Sequence, residues 1–165
     1  MKNRLLKNLL LVVSIMLICA AIAVTASAES YTGECGLEGD NLTWSFDTET
    51  GVLSIDGEGK MDNYKTYNNI SKTSAPWWDY SAEITKLDIG ENVTSIGDYA
   101  FYKCTNLHDI DIPKNVTSIS DYAFYKCENL HGVDIPKNVE SIGAYAFSYC
   151  GSMTEVVIPD NVTVI

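Results

Sequence analysis

The sequence predicts a mainly β solenoid, a stack of short strands and short helical turns, and two observations carry that prediction. The first is a motif of 23 residues that recurs from Ile84 to Ile165. The second is a different N-terminal pattern, in which short alternating runs read as a β-hairpin able to cover the first coil. The repeat reads ITKLDIGENVTSIGDYAFYKCTN, LHDIDIPKNVTSISDYAFYKCEN and LHGVDIPKNVESIGAYAFSYCGS, then a partial copy, MTEVVIPDNVTVI. Phe101, Phe124 and Phe147 share one column, Cys104, Cys127 and Cys150 another, and Ile96, Ile119, Ile142 and Ile165 a third. A fixed period in this range means that each copy is one coil resting on the previous one.

Residues 1–28 stand apart from the fold. Lys2, Arg4 and Lys7 make a basic start, an apolar run follows from Leu9 to Val24, and Ala26-Ser27-Ala28 is a small-residue cleavage site. This is the pattern of a secretory signal peptide. The apolar run is short for a membrane span of about 20 residues, so no membrane insertion is expected once the signal is cut. Residues 29–165 hold all 22 acidic residues and eight basic ones, a formal charge of −14, and no arginine. Phosphate recognition favours arginine forks and a basic patch. Nucleic acid and anionic lipid are therefore excluded as partners.

Residues 29–83 form the expected N-terminal cap. Leu42-Thr43-Trp44-Ser45-Phe46 and Val52-Leu53-Ser54-Ile55 alternate, and Asp47-Thr48-Glu49-Thr50-Gly51 joins them as a glycine-ended turn. Gly57 and Gly59 end the second strand. Asp62 to Thr73 reads as an exposed polar loop, and Pro76 is placed to open a short helix carrying Trp77 and Trp78. The tryptophans suit a lid on the first coil better than a sugar-binding platform, because the open end of a repeat stack needs large side chains over it.

Residues 84–165 are the repeats, three full copies and one truncated. In the second copy Leu107, Ile110 and Ile112 fit an L-x-x-L-x-L frame with Asn115 on its asparagine position. Ile110 and Ile112 point inward from a strand, and Asp109 and Asp111 point out. Pro113-Lys114-Asn115 is a turn, with the asparagine chosen for its tolerance of left-handed geometry. Val116 and Ile119 return to the core. Asp121 to Tyr125 reads as one helical turn capped by Asp121, with Ala123, Phe124 and Cys127 inside. The 23-residue spacing of the cysteines favours free core thiols, although neighbouring coils bring Cα atoms to about 5 Å, within range of a disulfide.

The unit I-P-x-x-V-x-S-I-x-x-Y-A-F-x-x-C-x-x-L resembles the BspA-type leucine-rich repeat of bacterial surface proteins. The segment from Trp44 to Trp78 is similar to the region that precedes such repeats. The resemblance implies a right-handed, secreted or surface-exposed solenoid that binds protein or glycan partners, adhesion being the usual role. The fourth copy stops before its Y-A-F and cysteine columns. Further C-terminal repeats or domains, or a covering partner, are the expectation there, since open apolar coil ends invite aggregation.

The candidate binding face is acidic. Asp88, Asp111 and Asp134 form an outward column, with Asp109 and Glu155 alongside and Lys114 and Lys137 nearby as partial compensation. Strands about 4.8 Å apart set such carboxylates in a file, where unit charges repel by somewhat under ~1 kcal/mol in water. Such a file either keeps the protein soluble or recruits a basic partner or a divalent cation. His108 and His131 lie one period apart, but two histidines without further ligands do not complete a metal shell. No nucleophile setting or phosphate loop occurs, so no catalytic residue, cofactor or metal is expected. The sequons at Asn41, Asn69, Asn92, Asn115 and Asn161 are explained by turn geometry. The leading reading is a non-enzymatic binding module. The alternatives are a structural spacer, or the targeting portion of a larger surface protein or enzyme.

Overall fold

The computed structural model describes residues 29–67 and 72–165. The signal-peptide reading of residues 1–28, and the part of the polar loop that includes Asn69, lie outside the described residues. Among the described residues the chain is mainly β, and no helix is long and apolar enough to cross a membrane.

Strands β1 (Ser30–Gly36), β2 (Gly39–Asp47) and β3 (Val52–Gly57) form an antiparallel meander. Leu42, Trp44, Phe46, Leu53 and Ile55 are buried, as the alternation requires. Asp47 shapes the turn by accepting the Glu49 and Thr50 N–H groups through Oδ1 (2.8 and 3.3 Å). Strand β1 carries no apolar alternation, since Gly33 and Gly36 occupy it. Gly33 faces Trp44 across the pair, and a Cβ there would stand 2.6 Å from the indole Nε1. Glycine is thus required by the indole, whose buried N–H has no hydrogen-bond partner among the described residues.

The meander continues directly into the repeats. After β4 (Gly59–Lys60), β5 (Thr66–Tyr67) and β6 (Lys72–Thr73) come β7 (Lys86–Ile89), β8 (Val93–Ile96), β9 (Asp109–Ile110), β10 (Ser118–Ile119) and β11 (Ser141–Ile142). One sheet has the order β1-β2-β3-β7-β9, with β3, β7 and β9 parallel. A second parallel sheet has the order β11-β10-β8-β4. Ser95, Ser118 and Ser141 pair in line, as do Ile96, Ile119 and Ile142, each step being 23 residues. Leu87, Ile89, Val93, Ile96, Phe101, Leu107, Ile112, Val116, Ile119, Phe124 and Leu130 are all buried in one core cluster, with Ile110 partly buried against it.

Three local readings need correction. Residues 98–104, 121–127 and 144–150 are not helical turns. Tyr99, Lys103, Tyr122, Lys126, Tyr145 and Tyr149 have φ between 53° and 62°, which no right-handed helix accepts. The N–H groups there alternate in direction. Tyr122, Phe124 and Lys126 donate forward to the Ala144, Ala146 and Ser148 carbonyls of the next copy (3.0, 2.8 and 2.9 Å). The residues between them, Ala123, Tyr125 and Cys127, donate back three positions within their own copy (3.4, 3.2 and 3.2 Å). Tyr99, Phe101 and Lys103 repeat the forward pattern onto Asp121, Ala123 and Tyr125 (3.0, 2.8 and 2.8 Å). A helix-like sequence has been captured by its neighbour, a tertiary override of local preference.

The second correction concerns asparagine. Asn115 and its column mates are absent from the left-handed positions. Their role is a cross-link: the Nδ2 groups of Asn115, Asn138 and Asn161 donate to the carbonyls of Glu91, Lys114 and Lys137 (2.7, 2.8 and 2.7 Å).

The third concerns residues 62–80. The expected exposed loop buries Tyr64, whose hydroxyl donates to the Cys35 carbonyl (3.1 Å), and includes the antiparallel pair β5–β6. The 3-10 helix runs from Trp78 to Tyr80 with Trp77 as its N-cap, so Pro76 precedes the helix rather than opening it. Trp77 is buried, stacks on Phe101 (centroids 5.7 Å) and donates its indole N–H to the Ala100 carbonyl (2.7 Å). Trp78 is half-buried beside Tyr102 (6.3 Å).

Carboxylates and thiols also join copy to copy. Asp98 Oδ1 accepts the Asp121 N–H (3.0 Å), and Asp121 Oδ1 accepts the Ala144 N–H (2.7 Å). Burial raises the Asp98 carboxyl above the usual range, and the Asp121 charge adds to it. Cys35, Cys104, Cys127 and Cys150 are buried free thiols. Cys127 and Cys150 donate S–H to the Phe101 and Phe124 carbonyls (3.2 and 3.3 Å). Burial pushes Cys35 up to about 12 and Cys150 to about 11, and raises Cys104 and Cys127 further.

Three outcomes follow from this packing. Phe124→Ala is expected to destabilise by about 3–5 kcal/mol in urea melts, the cost of deleting a buried phenyl ring. Tyr125→Ala, half-buried, is expected to cost clearly less; equal losses would mean the inward column is misassigned. A maleimide at neutral pH is expected to label Cys104, Cys127 and Cys150 only after unfolding, because the thiolate is the reactive form; native labelling, or a linked Cys104–Cys127 pair by mass spectrometry, would contradict this. Asp98→Asn keeps an acceptor oxygen for Asp121. A carboxyl raised in the native state contributes stability below its unfolded pKa and loses it as pH rises through the native value. The variant's melting temperature relative to the parent is therefore expected to climb between pH 3 and pH 7, and a flat difference would show that the raised Asp98 is not a load on the fold.

Candidate functional site

The strands place the acidic column on the outward face. In β7 Leu87 and Ile89 are buried while Asp88 between them is exposed. The 23-residue step sets Asp111 and Asp134 at the same position of the next two copies, both exposed and each beside a buried isoleucine, Ile112 and Ile135. Ser54 pairs with Asp88 on one side, and Asp134 bridges to Val157 on the other, so the file runs from a serine through carboxylates to a valine. The side chains of Asp88, Asp111 and Asp134 make no ion pair or hydrogen bond among the described residues.

Asp109 and Glu155 belong to the adjacent file. Asp109 pairs through its backbone with Lys86, which in turn pairs with Val52. Its side chain lies outside what is described. Glu155 is exposed two copies further on, with Gly132 between them in the column. The structure therefore does not gather the five acidic residues into one cluster; it sets them in two files. Lys114 reaches toward Glu91 (3.8 Å, both side chains largely exposed). Lys86, at the head of the second file, is exposed on the same side of β7 as Asp88. Among the described residues no three His, Cys, Asp or Glu side chains are grouped so as to hold a metal ion. His108 and His131 are exposed.

Two files of stacked tyrosines, running from buried Tyr102 and half-buried Tyr99 to exposed Tyr145 and Tyr149, escaped the sequence reading. Tyr99, Tyr122 and Tyr145 stack ring on ring (4.9 Å at 4°, 5.0 Å at 19°). Tyr102 and Tyr125 stack beside them (5.2 Å at 4°). The third copy has Ser148 in the Tyr125 column, and Tyr149, one residue later, supplies the ring by packing edge-on to Tyr125 (5.2 Å). Lys103 lies over Tyr102 (5.3 Å), and Lys126 over Tyr125 and Tyr149 (5.8 and 5.5 Å), contacts in which the cation meets the negative ring face. Burial raises the Tyr102 phenol to about 12 and also raises Tyr99 and Tyr122. The signal was present as tyrosine columns 23 residues apart. The rings cover one another's faces, so this surface offers mainly edges and hydroxyls.

Three of the sequon asparagines have structural uses. Asn115 and Asn161 spend their amides on the preceding copy, and Asn41 donates to the Glu58 and Lys60 carbonyls (3.0 and 3.2 Å). Trp77 is sealed in the core, which removes it from any sugar platform.

The fold is shared with solved bacterial proteins. A leucine-rich repeat protein from Eubacterium ventriosum superposes with a TM-score of 0.61 at 27% identity, covering 83% of this chain and 40% of that one. One from Bacteroides ovatus gives 0.52 at 27%, covering 76% and 36%. The T. pallidum leucine-rich repeat protein gives 0.52 at 27%, covering 74% and 60%. The chain thus spans less than two thirds of the length of each of these structures. No curated protein matches it. Residues 68–165 match the BspA type leucine rich repeat region, counted as six copies, and the chain belongs to that family.

Proposed function

We propose that the protein is a secreted or cell-surface, non-catalytic binding module, in which a right-handed repeat solenoid, covered at its start by residues 29–83, offers its acidic strand face to a basic extracellular protein. The observation that carries this reading is the unpartnered file of Asp88, Asp111 and Asp134. Like charges directly opposite are unfavourable in a sheet. Three in succession, each exposed and unsatisfied by the protein itself, are a standing cost that a cationic partner would relieve. Electrostatic complementarity of this kind chiefly sets specificity and association rate. Membership of a leucine-rich repeat family supports an interaction role, and the residue 1–28 pattern supports export. A protein partner fits better than a glycan, since the exposed aromatic rings are stacked on each other and leave few open faces for a sugar. The spacer reading would leave the carboxylate file without a use.

The test is the triple variant Asp88→Asn, Asp111→Asn and Asp134→Asn, compared with the parent for retention of extracellular matrix and bacterial surface proteins at two salt concentrations. The expected outcome is reduced retention with a flatter salt dependence and a slightly higher urea midpoint. Unchanged retention and salt dependence, with the midpoint raised, would leave the file as a solubility device and move the binding face elsewhere.

A further inference from the structure

Strand β1 is the edge of its sheet, paired on one side with β2. The Thr48 N–H donates to the Glu29 carbonyl (3.3 Å), which fixes the alternation along the pair. Tyr31 and Gly33 turn their main-chain groups toward β2. Those of Ser30 and Thr32, and the Glu34 N–H, face the outer side and have no partner among the described residues.

The chain starts to cover this side and then leaves it. The Leu37 N–H donates to the Lys60 carbonyl (2.9 Å), Gly36 bridges antiparallel to Met61, and the Asp62 N–H donates to the Cys35 carbonyl (3.0 Å). In that register Asn63 and Lys65 would come next, opposite Glu34 and Thr32. Instead Asn63 Oδ1 accepts the Asp98 N–H (2.9 Å) and the Tyr64 N–H donates to the Asp98 carbonyl (3.0 Å), which draws the segment onto the first repeat. Ser30 to Glu34 are left without a paired neighbour on the outer side.

A buried donor lies against them. Trp44 is 7% exposed, and its indole N–H has no acceptor among the described residues. The three atoms nearest to the Cβ that Gly33 lacks all belong to this ring, Nε1 first at 2.6 Å. The N–H is thus already out of water and unsatisfied, the costly state of a polar group. A strand laid along the outer side would set one residue opposite Gly33 on the indole's face of the sheet. Its Cβ would stand about 4.5–5.5 Å from the position that Gly33 leaves empty. A short acceptor side chain there, such as asparagine or serine, is placed to receive the N–H over the glycine. Glu29 and Glu34 are both exposed, and residues 29–36 contain no cation.

We propose that this edge is a strand-addition site for an extended, basic segment of a partner protein, with an acceptor side chain opposite Gly33 and a lysine or arginine opposite Glu34. Main-chain bonds to Ser30, Thr32 and Glu34 would give the affinity, and alternate side chains the specificity. The site is separate from the aspartate file, which begins on β7, three strands across the sheet. A second copy of the chain matches it poorly. With Thr32 opposite itself, Gly33 would meet Tyr31, whose ring stacks on Tyr80 (4.4 Å) and whose hydroxyl donates to Glu29 (2.7 Å). Both edges would also be acidic.

Titration of the isotope-labelled protein with a capped peptide, Lys-Asn-Thr-Val-Thr-Lys, followed by NMR, tests the proposal. In antiparallel pairing its lysines face Glu34 and Glu29, and its asparagine faces Gly33. The Thr32 and Glu34 amides and the Trp44 indole N–H are expected to shift saturably. Replacing the peptide's asparagine by alanine is expected to weaken binding roughly fivefold or more, and Trp44→Phe is expected to erase that difference. Thr32→Pro removes an outward N–H that the fold does not use; it is expected to abolish binding while the spectrum stays native. Absence of saturable shifts in the parent, or equal affinity for the asparagine and alanine peptides, would overturn the proposal. So would slow exchange of the Thr32 and Glu34 amides in the protein alone. Slowing that depends on concentration would assign the edge to a second copy, and slowing that does not would assign it to residues before Ser30.

Discussion

Everything in this protein depends on a hydrogen-bonded register of 23 residues between one copy and the next. Ser95 pairs with Ser118 and Ser118 with Ser141, and the turn segments lock with the same step. A residue in such an array meets its own kind above and below. The register therefore admits side chains that satisfy themselves in a file. Phenylalanines stack, isoleucines interlock, and asparagine amides and cysteine S–H groups donate to the preceding backbone. Tyrosines stack as well, face to face at about the spacing that stacked rings prefer. Aspartate is the residue type that suffers in a file, and Asp88, Asp111 and Asp134 stand where water can screen them.

The two aspartate columns show how the same side chain is used in different settings. Asp98 and Asp121 sit at turn starts, where each carboxylate receives a backbone N–H from the next copy. There a charge-assisted bond, the stronger class of hydrogen bond, works against the repulsion, and burial still leaves the Asp98 carboxyl raised. Asp88, Asp111 and Asp134 have no such return. Their exposure keeps the repulsion small and leaves their acceptor capacity unspent, which makes this the face on which the protein itself has least claim.

The columns were legible in the sequence because a repeated core position must repeat its residue. Phe124, Ile119, Val116 and Cys127 could be placed inside from spacing alone, and Asp88, Asp111 and Asp134 outside from the two-residue alternation of a strand. What could not be read was the partner of each backbone group. Asp121 to Tyr125 has a helix-like composition, yet its N–H groups belong half to its own copy and half to the next. Asn115 was placed at a turn for its backbone freedom and proved to be there for its side-chain amide. Strand β1 was hidden because Gly33 serves the indole opposite it rather than any pattern along its own strand. Tyr64 and Trp77 were legible as large residues but not as donors, since the carbonyls they satisfy exist only once the first copy has formed. The tyrosine files were missed for a simpler reason: the 23-residue columns were read for what they bury, and a ring outside the core stacks only once the register sets its copies face to face.

The asparagine cross-links bear on how the length of such a chain can change. Each Asn amide spans one step of the stack, bonding a carbonyl 24 positions back in sequence. Removing or inserting a single residue within a copy would slide the asparagine, the serine pair and the turn carbonyls out of line together. Removing or inserting a whole block of 23 leaves every one of them in line, because each copy meets only its immediate neighbours. Variation in this chain is therefore quantised. A change of length by whole blocks of 23 raises no new packing problem, whereas one or two residues inserted within a copy break its register to both neighbours.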